Sequence, residues 1–170
     1  MKFLLAAVAA AAMLIGVGTA QAQTNSGPLN GVYVGANLGS NFQNNSSVSM
    51  GLTVGHQFHK NLAAELTYDH VRYRARAGHD DGQMIMGNLV AGHKMGAFTP
   101  YALVGVGVGW NAAGQKGPGT TTALYNVGAG MRVSITSNVD LDARYRYVGP
   151  FEGDRKNNSH MITAGAVYRF

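Results

Sequence analysis

In the stretch Asp140-Leu141-Asp142-Ala143-Arg144-Tyr145-Arg146, charged and apolar side chains alternate without a break. A period of two belongs to a β-strand, so the four charges share one face and Leu141, Ala143 and Tyr145 share the other. Glu65, Asp69, Arg132 and Arg169 occupy comparable positions in other alternating stretches. Carboxylates and guanidiniums gathered on inward faces do electrostatic chemistry: they neutralise one another in a protein interior, or they line a narrow path for ions. Either way each buried charge needs a partner.

A second basic set, Arg72, Arg74 and Arg76, continues the apolar phase of the stretch before it. Guanidiniums there are placed to meet lipid phosphates by bidentate contact. Pairing with Asp80 and Asp81, or plain solvation, is the competing reading. His56, His59 and His93 fall near turns, but no cysteine or carboxylate stands at ligand spacing beside them, so no metal is expected. Ser159-His160 and Asp69-His70 are the pieces of a hydrolytic set, yet they lie on stretches far apart in the chain. The run Gly105-x-Gly107-x-Gly109 lacks the helix that a nucleotide loop requires. No cofactor is expected.

The elements that hold these residues read as eight strands: 31–40, 48–58, 62–71, 84–92, 100–110, 122–133, 139–147 and 160–170. In each, one face is apolar and the other small, polar or charged. Asn88 sets the phase of the fourth strand, because an amide belongs with the polar set. Pro100 opens the fifth, where a missing N–H is tolerated. Connections alternate between short turns and longer polar loops, the latter at 41–47, 72–83, 111–121 and 148–159. A soluble barrel would place its apolar residues inside. Here that would turn Asp142, Arg144 and Arg146 outward beside continuous aliphatics, so the inside-out arrangement fits better: apolar side chains to lipid, charges to the lumen. The expected fold is an all-β, eight-stranded antiparallel up-and-down transmembrane β-barrel over 30–170. In it the 62–71 and 139–147 strands face each other, bringing Glu65 within reach of Arg144 or Arg146. A hairpin across 134–138 is expected to set Arg132 opposite Asp140.

Residues 1–22 read as a cleaved export signal. Met1-Lys2 is the positive start, 3–17 is apolar, and Ala20-Gln21-Ala22 is a small-x-small cleavage site. Fifteen apolar residues fall short of the ~20 that a spanning helix needs. Residues 23–29 form a short polar tail. The chain has 13 Lys and Arg, 8 Asp and Glu and no cysteine; losing Lys2 with the signal lowers its net charge from +5 to +4. That excess is small and scattered, which argues against a nucleic-acid partner.

With 138–147, Thr99-Pro100-Tyr101, glycines 105, 107 and 109 and the terminal Phe170, the chain resembles the opacity-type porin family over 31–170. The resemblance implies an integral bacterial outer-membrane protein, monomeric, in contact with outer-membrane lipid and lipopolysaccharide. It also implies that Tyr168 and Phe170 form the terminal signal read by the barrel-assembly machinery, and that the loops meet host surface molecules. The expected role is a structural or adhesive surface protein. A small diffusion porin with a charged, gated lumen is the alternative, and a lipid A-modifying enzyme a second.

Overall fold

A computed structural model describes residues 31–43, 45–75, 78–110, 121–152 and 158–170; side chains at 43, 45, 46, 73–75 and 78–80 are not described. The export signal and tail therefore lie outside the described residues. Eight strands form a closed antiparallel barrel, each paired with its neighbours in the chain. They are β1 (Val32–Gln43), β2 (Asn45–His59), β3 (Leu62–Ala75), β4 (Gly78–Gly92), β5 (Phe98–Trp110), β6 (Thr121–Ser134), β7 (Val139–Pro150) and β8 (Ser159–Arg169). The ring closes where β1 meets β8, from Tyr33↔Arg169 to Asn41↔Met161. Closure satisfies every strand edge, which an apolar membrane would otherwise leave unpaired.

Alternation holds around the ring. Leu38, Val48, Leu52, Val104, Val106 and Ile162 are exposed, while Glu65, Asp69, Asn88, Asn126, Arg144 and Arg146 are buried. Exposed aliphatics outside and buried charges inside are the reverse of a water-soluble barrel. On β4, Met84, Met86, Asn88 and Val90 point inward, the phase Asn88 indicated.

Two expected loops are strands instead. β1 and β2 pair as far as Gln43↔Asn45, and β3 and β4 as far as Ala75↔Gly78, through most of 41–47 and 72–83. Asn41 and Ser47 resemble loop composition, but both side chains are buried in the barrel interior. Ser40 Oγ donates to Ser47 O at 3.1 Å, and the Ser159 hydroxyl bonds the Asn41 amide. β5 also begins at Phe98, ahead of Pro100. Strands of 12–15 residues on β1–β4 exceed the ~9–11 that cross a bilayer. β5, β6 and β7, of 13, 14 and 12 residues, exceed that length as well, so the wall as a whole is longer than the apolar band, and the two hairpins form part of its loop end. That end also carries the 111–120 and 151–158 connections. The opposite, turn end has tight connections at 60–61, 93–97 and 135–138, and short turns lie on the periplasmic side of such barrels.

Candidate functional site

The lumen is occupied by an ion network. Glu65 stands on β3 at a fully buried position. Arg144 reaches it from β7, donating from Nη1 to Oε2 at 2.8 Å and from Nη2 to Oε1 at 3.2 Å. Arg132 of β6 pairs with the same carboxylate, and the Tyr33 hydroxyl donates to Oε1 at 2.8 Å. Tyr101 links the next acid: its hydroxyl donates to Asp142 Oδ1 at 2.7 Å and accepts from Arg144 Nε at 2.8 Å. Asp142 also lies 3.4 Å from Nε of both Arg132 and Arg144.

A separate pair stands nearer the loop end. Arg146 grips Asp69 in a fork, with Nη1 to Oδ2 at 2.8 Å and Nη2 to Oδ1 at 2.7 Å. Such bidentate geometry offsets part of the cost of dehydrating both ions. At the turn end Arg169 lies 3.0 Å from Asp140. All eight luminal charges inferred from the sequence are therefore brought into ion pairs. One expected pairing is wrong. Arg132 stands opposite Asp142, and Ser134 opposite Asp140, because the turn begins after Ser134 and shifts the register by two.

Tyr33 and Tyr101 were missed as members of the site. Each lies across a glycine of the next strand, in the pairs Tyr33↔Gly55 and Tyr101↔Gly130. A Cβ on Gly55 would stand 2.5 Å from the Tyr33 hydroxyl oxygen. The Arg132 guanidinium stacks over the Tyr33 ring at 4.6 Å. The available sequence signal was a lone inward aromatic on a glycine-rich face, which needs both a ring-sized gap and a polar partner.

On the loop side the network is covered by a buried apolar cluster that includes Val71, Met86, Leu124, Val148 and Met161. Between them an amide chain runs from Asn126 Nδ2 to Asn88 Oδ1 at 2.8 Å and from Asn88 Nδ2 to Thr67 Oγ1 at 3.4 Å. Charged, amide and apolar layers fill the barrel interior.

Outside the lumen, Arg72 is exposed and donates to Asp81 Oδ1 at 3.2 Å, so the competing carboxylate is engaged. The Arg74 side chain and all of Arg76 lie outside the described residues. Tyr168 and Phe170 face outward, packed edge-on at 5.2 Å. Ser159 is buried while His160 points out, where its Nδ1 meets Tyr145 OH at 2.7 Å. Neighbours on one strand face opposite ways, and Asp69 is held by Arg146, so these residues do not assemble as a hydrolytic set. His93 Nδ1 lies 3.4 Å from Asn61 Nδ2, and no cluster of potential metal ligands forms among the described residues.

A lipid-facing closed barrel with a charged lumen filled by side chains defines a class: bacterial outer-membrane β-barrels of the smallest size. The chain belongs to the outer membrane protein beta-barrel domain family, whose model matches residues 7–170. Solved structures of the same form include neisserial surface protein A, with TM-score 0.69 and 21% identity, covering 83% of this chain and 98% of that one. Ail, the attachment invasion locus protein of Yersinia pestis, gives 0.55 at 15% identity, covering 82% and 96%. The outer membrane enzyme PagL gives 0.55 at 13% identity, covering 81% and 99%. At such identities the likeness is one of fold. No curated protein matches the chain.

Proposed function

We propose that this protein is a non-conducting outer-membrane anchor that displays its loop-end hairpins at the cell surface, where they serve envelope integrity or host contact. The observation that carries the reading is the Glu65–Arg144–Arg132 network closed over by the Met86–Met161 apolar cluster. Ions crossing the lumen would have to break a bidentate buried pair and wet an apolar layer, and eight strands leave room for side chains rather than a channel. A gated pore, the alternative, would require that cost to be met at every opening.

A role at the surface draws on the β1–β2 and β3–β4 hairpins of the loop end. It is also the role for which Ail, a protein of the same fold, is named. A catalytic role like that of PagL has less support, since Ser159 and His160 face opposite sides of the wall. Export by removal of residues 1–22, and delivery through recognition of Tyr168 and Phe170 by the assembly machinery, belong to the same proposal.

The test is single-channel recording of the purified protein in a planar bilayer. Silence from protein that shows heat-modifiable gel migration, and hence a folded barrel, is the expected result. Steady openings altered by Glu65→Gln would replace the anchor with the pore.

A further inference from the structure

At the turn end the lumen opens into a cavity of about 90 Å³, lined in part by Tyr33, Lys60, Lys94, Arg132, Asp140 and Arg169. That volume holds a few water molecules or one small ion. Lys60 sits in the β2–β3 turn and Lys94 in the β4–β5 turn. Adjacency of β3 and β4 brings these turns together. Gly92 N donates to Asn61 O at 2.9 Å, a backbone bond that ties the two turns together, and the Gln57 side chain braces the first of them by donating from Nε2 to Lys60 O at 3.0 Å.

The charges around this cavity do not balance. Among the described residues Glu65, Asp140 and Asp142 are the carboxylate side chains at this end, and each is already paired with Arg132, Arg144 or Arg169. Among the described residues neither lysine has a carboxylate within ion-pair distance. Two exposed lysines therefore line the mouth of one recess, which Arg132, itself paired with Glu65 and Asp142, also lines, and a charged cleft of this kind concentrates a positive field. From this geometry we infer that the periplasmic mouth is a binding site for a small oxyanion, a phosphate or a carboxylate. Lys60 and Lys94 supply the charge beside Arg132. Lysine suits such a site as a point charge, without the planar constraint of arginine. The ligand comes either from free phosphate or from the carboxylates of periplasmic peptides.

The experiment is an amide-resolved NMR titration of isotope-labelled protein in a phosphate-free maltoside detergent. Inorganic phosphate and acetate are added separately, with ionic strength held constant by chloride because screening alone shifts surface amides. The expected result is saturable shifts at Lys60, Asn61 and Lys94 with at least one anion. Binding should weaken about tenfold or more in K60Q/K94Q, a variant of exposed turn residues that should keep heat-modifiable migration. Saturation by phosphate alone points to phosphate as the source, and saturation by both anions to peptide carboxylates as well. Linear shifts that chloride reproduces, or saturation undiminished in K60Q/K94Q, would overturn the inference.

Discussion

Glu65 and Arg144 meet across the lumen through two hydrogen bonds, 2.8 Å from Nη1 to Oε2 and 3.2 Å from Nη2 to Oε1, tying β3 to β7 on the opposite wall. Neither side chain has useful access to water, so each depends on the other. Glu65→Gln keeps the shape but leaves Arg144 and Arg132 short of a counter-charge. Breaking a buried pair in this way costs about 3–5 kcal/mol. Urea unfolding from lipid vesicles should show that loss. The Glu65→Gln/Arg144→Met pair should lose less than the sum of the single variants, because they share one interaction. Strict additivity would mean that the two residues act separately.

Gly55 and Gly130 leave space for the Tyr33 and Tyr101 rings. Alanine at either should push its tyrosine off the network and destabilise the barrel by about 1–3 kcal/mol, as overpacking does. Gly87 is the control. It faces outward, and its nearest neighbour to an added Cβ is Val106 O at 3.8 Å. Gly87→Ala should therefore be nearly neutral in the same unfolding experiment.

Val104 lies in the middle of β5 on the exposed apolar face. Val104→Arg should cost about 2–4 kcal/mol in lipid vesicles, whereas Ile135→Arg, in the β6–β7 turn, should cost about 0–1 kcal/mol. Equal costs would contradict the inside-out arrangement.

Arg72 leads the Arg72, Arg74, Arg76 series on the outward phase of β3, with one carboxylate, Asp81, engaged at 3.2 Å. As a lipid contact the series is a proposal. Changing all three to Gln should lower the lipopolysaccharide that co-purifies with the barrel, measured per mole of protein. Unchanged lipid would leave Arg72 as the partner of Asp81 and nothing more.

Phe170 packs on Tyr168 at the barrel exterior, away from the luminal network. If it serves assembly rather than stability, Phe170→Ala should reduce the amount reaching the outer membrane by several-fold. The unfolding midpoint of refolded protein should barely move. A comparable fall in both would make Phe170 a packing residue.

Much of this architecture is local and so was legible in the chain. Leu52 and Thr53 face opposite sides because successive residues on a strand must, whatever they pack against. Asn88 could settle the phase of β4 for the same reason: one amide is enough to tell lumen from lipid. The hairpin ends were not legible. Asn41, Ser47 and Ser159 carry loop-like composition, and only a closed wall makes a polar interior for them to satisfy.

The amino-acid sequence alone determined the eight strands, which face of each meets lipid, and which eight charges enter the lumen, since these follow from a period of two and the cost of a charge in hydrocarbon. Tertiary structure decided who pairs with whom. Arg132 meets Glu65 and Asp142 rather than Asp140, and Arg146 meets Asp69 while Arg144 takes Glu65. Those pairings depend on turn length and on the stagger with which the last strand meets the first. Stagger is a property of the closed ring, and no single strand encodes it.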